Sequence, residues 1–258
     1  MNYIELKSVQ YSYNEKSKKV LDNISFMIDK GDMLSIIGPN GSGKSTLLKL
    51  INGIIAPNSG SILFEGKDID SISKKELARK FAFVMQQNHV DFEFTCEEIV
   101  MMGRYPYLRR FESESEEDLN IVIEAMKNTG VYHLKDKSIN EISGGEKQRV
   151  FIAKAIAQTP EVLFIDEGTS NLDIRYKLDI LKLLQKLNED GMTIVMVQHD
   201  LDLTARFSKS VCLLHNGKVH TLDTPEGVFL EKNIRDVYGI ESIISSDNPI
   251  KAPIIIPL

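Results

Sequence analysis

The rhythm of apolar and polar positions changes several times along the 258 residues. Tyr3 to Tyr13 alternates loosely and reads as a strand, and Val20 to Ile28 gives another, with Lys30-Gly31-Asp32 as the turn that follows. Met33 to Ile37 is instead a short, mostly apolar run that ends at a glycine-rich loop, after which Ser45 to Asn52 continues as a helix. Val162 to Ile165 is four apolar residues in a row, as a strand covered on both faces requires, and Thr193 to Val197 and Val211 to Leu214 repeat that texture. Ser61 to Phe64 and Phe81 to Met85 add two further strands, and helices fit at Lys147 to Gln158 and Ile174 to Asn188. Buried strands alternating with helices predict an α/β core with a mostly parallel sheet. From about Gln87 to Asn140 the texture turns charged and helix-forming, above all at Glu112 to Met126, where Ile121, Val122, Ala125 and Met126 share one face. This stretch reads as a helical subdomain inserted into the core, and its acidic run from Glu112 to Asp118 as a solvated helix start. Beyond Ser245, Pro249, Pro253 and Pro257 surround Ile254-Ile255-Ile256, and the pattern assigns no element there.

Composition narrows the picture. With 37 acidic and 31 basic side chains the net charge is −6, without the basic surplus or stripe of a nucleic-acid binder, so no nucleic-acid partner is expected. Cys96 and Cys212 match no metal-ligand spacing and read as two reduced thiols in a reducing compartment. No signal peptide is visible from Met1 to Gln10, and no apolar stretch reaches the ~18 residues of a membrane-spanning helix. A cytoplasmic location is therefore expected, with any membrane role reached through a partner.

Gly38-Pro39-Asn40-Gly41-Ser42-Gly43-Lys44-Ser45 fits the phosphate-loop pattern at every position and lies between a predicted strand and a predicted helix. Its glycines let backbone N–H groups wrap a phosphate chain, and the helix N-terminus adds partial positive charge. Lys44 is placed to reach the outer phosphates, and Ser45 to give a hydroxyl to Mg²⁺. Asp166 and Glu167 follow the buried run Val162 to Ile165, which suits one carboxylate for Mg²⁺ and a second for an attacking water. Ser143-Gly144-Gly145-Glu146 precedes another helix and makes a second glycine-rich anion site. One nucleotide needs no two such sites on one chain, whereas two chains set head to tail would use both.

These residues together resemble the nucleotide-binding subunit of ATP-binding-cassette transporters, whose signature reads Leu-Ser-Gly-Gly-Gln, and the resemblance runs to about Gly239. It implies a phosphate-loop NTPase core with an antiparallel N-terminal β subdomain and the inserted helical subdomain at about 87–145. The whole forms a single ATPase domain over 1–245, followed by a tail at 246–258. It implies ATP and Mg²⁺ as ligands, with Tyr13 stacking on adenine and the phosphate loop extended through Thr46. By the same likeness Gln86 links Mg²⁺ and water to the helical subdomain, Ser170 to Asp173 crosses a dimer interface, and His199 contacts the γ-phosphate. His89, His133, His215 and His220 show no ligand spacing and read as structural. Two positions depart from the pattern: Glu146 stands where glutamine is usual and brings a negative charge near ATP, and Gly168 replaces a proline and loosens the loop to Asp173.

Phe92 to Leu108, with Phe94-Thr95 and Glu98 to Tyr107, looks like the segment that follows the glutamine in importers of iron–siderophore chelates, haem and cobalamin. The stretch Asp223-Thr224-Pro225-Glu226 through Val237-Tyr238-Gly239 is similar to theirs too, although Leu222-Asp223 replaces a glycine. The resemblance implies a homodimer when ATP is bound, polytopic permease subunits docked near Gly103, Arg104, Tyr105 and Tyr107, and an extracytoplasmic substrate-binding protein. It places the chain on the inner face of the cell membrane. Import of another small solute or metal, and a soluble ATPase acting on a regulatory partner, are the alternatives.

Overall fold

A computed structural model describes residues 2–14, 19–85, 92–109, 112–166, 173–245 and 252–258. The chain divides into two compact units, Met1–Ile72 with Thr193–Leu258 and, between them in sequence, Ser73–Met192. The first unit opens with β1 (Asn2–Tyr11), β2 (Leu21–Asp29), β3 (Met33–Ile37), α1 (Lys44–Ile51), β4 (Ser59–Phe64) and β5 (Lys67–Asp68). The second holds α2 (Lys74–Lys80), β6 (Phe81–Val84), α3 (Cys96–Met101), α4 (Glu116–Asn128), α5 (Gly144–Ala157), β7 (Val162–Asp166) and α6 (Ile174–Glu189). The first resumes with β8 (Thr193–Val197), α7 (Leu201–Phe207), β9 (Ser210–His215), β10 (Lys218–Asp223), α8 (Pro225–Val228), α9 (Glu231–Tyr238), β11 (Ser242–Ser245) and β12 (Ile254–Pro257).

In the first unit β2, β1, β4 and β5 form an antiparallel sheet in that order. Buried and exposed positions alternate along β2, because only one face of that sheet packs on the core. A second sheet sets β3 between β8 and β9, all three parallel, with β10 antiparallel on β9. Every residue of β3 and of β8 is buried, as covered parallel strands demand. Register matters for function here: Ile36 faces Val197, and Gln198 N–H donates to the Ile36 carbonyl at 3.1 Å. The chain therefore leaves β3 into the glycine loop at the same end at which it leaves β8 into His199. In α/β sheets that carboxyl end is where ligands bind.

The tail that the sequence left unassigned forms a hairpin, with β12 pairing β11 from Ser242↔Pro257 to Ser245↔Ile254. Ala252 and Ile255 join the core made by Val211, Leu213, Phe229 and Ile234. The Ile255 N–H donates to Asp202 Oδ1 at 3.0 Å. The hairpin is part of the first unit's packing.

In the second unit β6 and β7 pair in parallel, and α3, α4 and α5 pack on one another. Each of the three starts with a capping box, in which an N-cap hydroxyl and a carboxylate three residues on satisfy each other's backbone N–H: Thr95 with Glu98, Ser115 with Asp118, Ser143 with Glu146. These boxes correct two boundaries. Helix α4 begins at Glu116 where the acidic run predicted Glu112, and α5 begins at Gly144 where the glycines had pushed the expected start to Lys147.

The acidic run is also more than a solvated start. Asp118 is buried, accepting from Ser115 Oγ at 2.6 Å and from Arg104 Nε at 2.8 Å. The Ser115 hydroxyl, then the Arg104 guanidinium, hold its carboxyl down at about 2. Arg104 in turn donates to the Ala157 carbonyl at 2.8 Å and lies 4.0 Å over the Tyr107 ring.

Candidate functional site

The turn between β3 and α1 is built on backbone that only glycine adopts without strain. Gly38 sits at φ +146°, where a Cβ would run into the Leu214 carbonyl oxygen of β9. Gly43, at φ +103°, is the N-cap of α1 and offers no side chain to the helix's first N–H groups. Nor does α1 carry an acidic residue in its first turn, so its N-terminal positive end stays available to an anion. Lys44 is buried at 6% exposure, and its ammonium donates to the carbonyls of Gly38 at 2.9 Å and Pro39 at 3.0 Å. Ser42 Oγ is buried with no hydrogen-bond partner among the described residues. Buried polar atoms are rarely left so, and here the orphan lies inside the loop that would cradle phosphates. Pro39, Asn40 and Gly41 complete the turn, and Ser45 and Thr46 fall in the first turn of α1.

Three more residues of the first unit bear on this loop. Tyr13 hydrogen-bonds Thr46, hydroxyl to hydroxyl, at 3.0 Å and keeps 61% of its surface exposed. His199 is exposed between β8 and Asp200, and Asp200 caps α7 by accepting from Leu203 N–H at 3.0 Å. Tyr238, at the end of α9, was not picked out as a site residue by sequence reasoning. Burial pushes its hydroxyl up to about 12, while the nearby Gly38 backbone N–H draws it the other way. A tyrosine before a helix-ending glycine gives no hint of a place beneath a loop two hundred residues earlier.

In the second unit Asp166 is the buried last residue of β7. Ser143 and Gly144 are exposed at the start of α5, while Gly145 packs against the Tyr176 ring. The Glu146 carboxylate does not extend away from the helix. It turns back to accept from Ser143 N–H at 2.9 Å and Ser143 Oγ at 2.7 Å. Those hydrogen bonds, with smaller help from Arg149 and Lys137, lower its pKa. Asp173, expected at a dimer interface, caps α6 by accepting from Tyr176 N–H at 3.1 Å. Gln86, Glu167, Gly168 and Ser170 to Leu172 lie outside the described residues, as does His89.

The docking expectation is corrected in part. Gly103 is buried against the Lys154 carbonyl and Arg104 is 6% exposed, so both pack the interior of the second unit. Tyr107 is engaged too, its hydroxyl donating to Gln158 O at 3.0 Å. Tyr105 alone of the four is exposed, and it opens onto a groove with Phe94, Glu97, Met101, Met102 and Leu119. An arginine flanked by aromatics reads as surface in sequence, and its partner Asp118, fourteen residues on, decides otherwise.

Cys96 and Cys212 are free and buried, with burial pushing the Cys212 thiol up to about 12. Among the described residues no three His, Cys, Asp or Glu side chains cluster to hold a metal, and no helix is long and apolar enough to cross a membrane.

Comparison with known proteins agrees with this geometry. The family model for ABC transporters matches residues 21–170. The cobalamin import ATP-binding protein BtuD of Halobacterium salinarum is 35% identical over 93% of this chain, which spans 60% of that relative's length. The ferric enterobactin transport ATP-binding protein FepC of Escherichia coli K12 is 34% identical over 98% of this chain and 94% of its own. Among solved structures, a dimeric ATP-binding cassette in a post-hydrolysis state with ADP and Pi aligns at TM-score 0.74 and 33% identity, over 86% of this chain and 98% of that one. An inward-facing ABC transporter chain aligns at TM-score 0.87 over 100% of this chain and 98% of its own, and at 24% identity it speaks to the fold alone. The chain belongs to the ABC transporter family, as a carrier of its ATP-binding cassette.

Proposed function

We propose that this chain is the ATP-hydrolysing subunit of an importer for an iron chelate or cobalamin. Two copies meet head to tail around two ATP molecules. The observation that carries the reading is the Lys44 loop, whose helix start is open to an anion, together with a second glycine-rich helix start at Ser143 that Glu146 caps, on a chain similar over nearly its full length to the enterobactin relative. In a head-to-tail pair each phosphate loop faces the partner's Ser143, and both starts are used. Tyr13 takes the adenine, Gly38 to Thr46 the phosphates, and Ser143 to Glu146 the phosphates bound by the other copy.

Ser45 and Asp166 offer the hard oxygen donors that suit Mg²⁺, with Gln86 beside them in the resemblance; the ion would neutralise charge on the outer phosphates. Glu167 orients the attacking water and His199 holds the terminal phosphate, while Asp173 lies at the seam between copies. The groove at Tyr105 mixes Phe94, Met101, Met102 and Leu119 with the carboxylates of Glu97 and Glu98. That lining suits an amphipathic, basic segment of a polytopic permease, placing the chain against the inner face of the membrane. An extracytoplasmic binding protein would deliver the cargo.

The test joins two differently tagged copies in the Glu167→Gln background, one carrying Asn40→Cys and the other Gly144→Cys. Asn40 is exposed, a side chain at Gly144 meets open space, and the native thiols are buried. A disulfide that forms only with Mg·ATP is expected, with ATP binding retained and hydrolysis cut at least ~100-fold by Glu167→Gln. No ATP-dependent disulfide, or near-normal turnover, sinks the reading.

A further inference from the structure

Tyr13 and Thr46 belong to different parts of the first unit, one just past the end of β1 and the other in the first turn of α1. Their hydroxyls lie 3.0 Å apart, and either can donate. Thr46 is buried at 6% exposure, and among the described residues this is its hydroxyl's one side-chain partner. The Tyr13 ring lies edge-on to Tyr11 at 5.1 Å and is otherwise open. Stacking on a base would require the ring alone. An anchored hydroxyl is a separate feature that calls for a separate role.

A threonine hydroxyl has one hydrogen and two lone pairs. If Tyr13 donates to Thr46 Oγ1, the threonine's own hydrogen is released for another acceptor, and hydrogen bonds chained this way strengthen one another. The acceptor at hand in the first turn of α1 is a phosphate drawn to the helix N-terminus. We propose that Tyr13 is a positioning residue for the phosphate chain: its hydroxyl orients Thr46 as a donor to phosphate, so one side chain links base recognition to phosphate recognition. This rests on the nucleotide's phosphates sitting on the Lys44 loop.

Calorimetric titration of the full chain with Mg·ATP and with Mg·tripolyphosphate, which lacks a base, tests it. Tyr13→Phe keeps the ring and loses the hydroxyl, and it is expected to weaken both ligands by the same factor, about three- to fivefold, the size of one neutral hydrogen bond. Tyr13→Ala is expected to weaken tripolyphosphate no further but ATP by a larger factor. Thr46→Val is expected to abolish any added effect of Tyr13→Phe, and Thr46→Ser to restore it. Unchanged tripolyphosphate affinity in Tyr13→Phe overturns the inference, as does a Tyr13→Phe effect that persists in full beside Thr46→Val. If instead Tyr13→Ala binds ATP as well as Tyr13→Phe does, the stacking role falls and the hydroxyl role stands.

Discussion

Glu146→Gln separates two roles of the residue that departs from the family signature. Its carboxylate accepts from Ser143 Oγ at 2.7 Å and from Ser143 N–H at 2.9 Å. Hydrogen bonds to a charged group are worth ~1.5–3 kcal/mol against ~0.5–1.5 for neutral ones, so glutamine holds the serine hydroxyl less firmly by about 1 kcal/mol. In the proposed dimer that hydroxyl must leave residue 146 to meet the partner's terminal phosphate. Glutamine is therefore expected to tighten ATP-dependent dimerisation about fivefold per site, measured by sedimentation in the Glu167→Gln background. Removing a charge near phosphate pushes the same way, by roughly 2 kcal/mol before screening at 7–8 Å and an effective dielectric of 20. Raising the salt isolates the exchange, because the charge effect fades with ionic strength and the hydrogen-bond effect does not. Meanwhile α5 loses a negative charge at its N-terminus, worth ~0.3–1 kcal/mol, so the unliganded melting temperature should fall by a few degrees at most. Because folding lowers the Glu146 pKa from its ordinary 4.5, this support is complete above that value and lost only as pH falls through the lower folded one. The comparison should then be flat from pH 6 to 8. Weaker dimerisation, tracking the loss of stability, would refute the competition and leave Glu146 as a helix cap only.

Two other outcomes follow from buried geometry. Asp118→Asn should destabilise the fold by about 2 kcal/mol in urea titration at pH 7. The fall from 3.8 to about 2 bounds the contribution at about 2 kcal/mol, and because that support is lost only between about pH 4 and pH 2, a gap that closes by pH 5 would contradict the Ser115 and Arg104 pairing. Gly38→Ala should abolish measurable nucleotide binding and cost ~1–3 kcal/mol, since the new Cβ meets the Leu214 carbonyl at a backbone angle closed to alanine; a variant that binds ATP normally would show that the loop can shift.

What the sequence made legible is what short stretches determine alone. The phosphate loop carries its glycines, lysine and flanking strand and helix within about twenty residues, and β3, β7 and β8 announce themselves as mostly apolar runs that end up fully buried. Illegible features depend on partners distant in the chain. Arg104 belongs to the interior only because Asp118, Ala157 and Tyr107 receive it. Three prolines argue against a strand in the tail, yet β12 pairs β11 at the chain's end, where Pro257 can sit because it closes the strand. Gly144 and Gly145 weigh against a helix by propensity, and the reciprocal cap between Ser143 and Glu146 outweighs them, so α5 starts at Gly144.

The same contrast bears on how the site would work. Two of the donors that the proposed ATP would engage already hold internal acceptors: Lys44 the carbonyls of Gly38 and Pro39, and Ser143 the Glu146 carboxylate. Satisfying these donors internally lets the loop and the helix starts keep their shape without a ligand, which reduces the ordering cost of binding. It also makes nucleotide affinity a difference between two sets of hydrogen bonds. Strengthening an internal acceptor, as glutamate does over glutamine at 146, weakens the nucleotide's hold through the donor it occupies, apart from its charge. Variation at the acceptor that holds a phosphate donor can therefore tune when the cassette closes, while Lys44 and the glycines stay fixed by the phosphates.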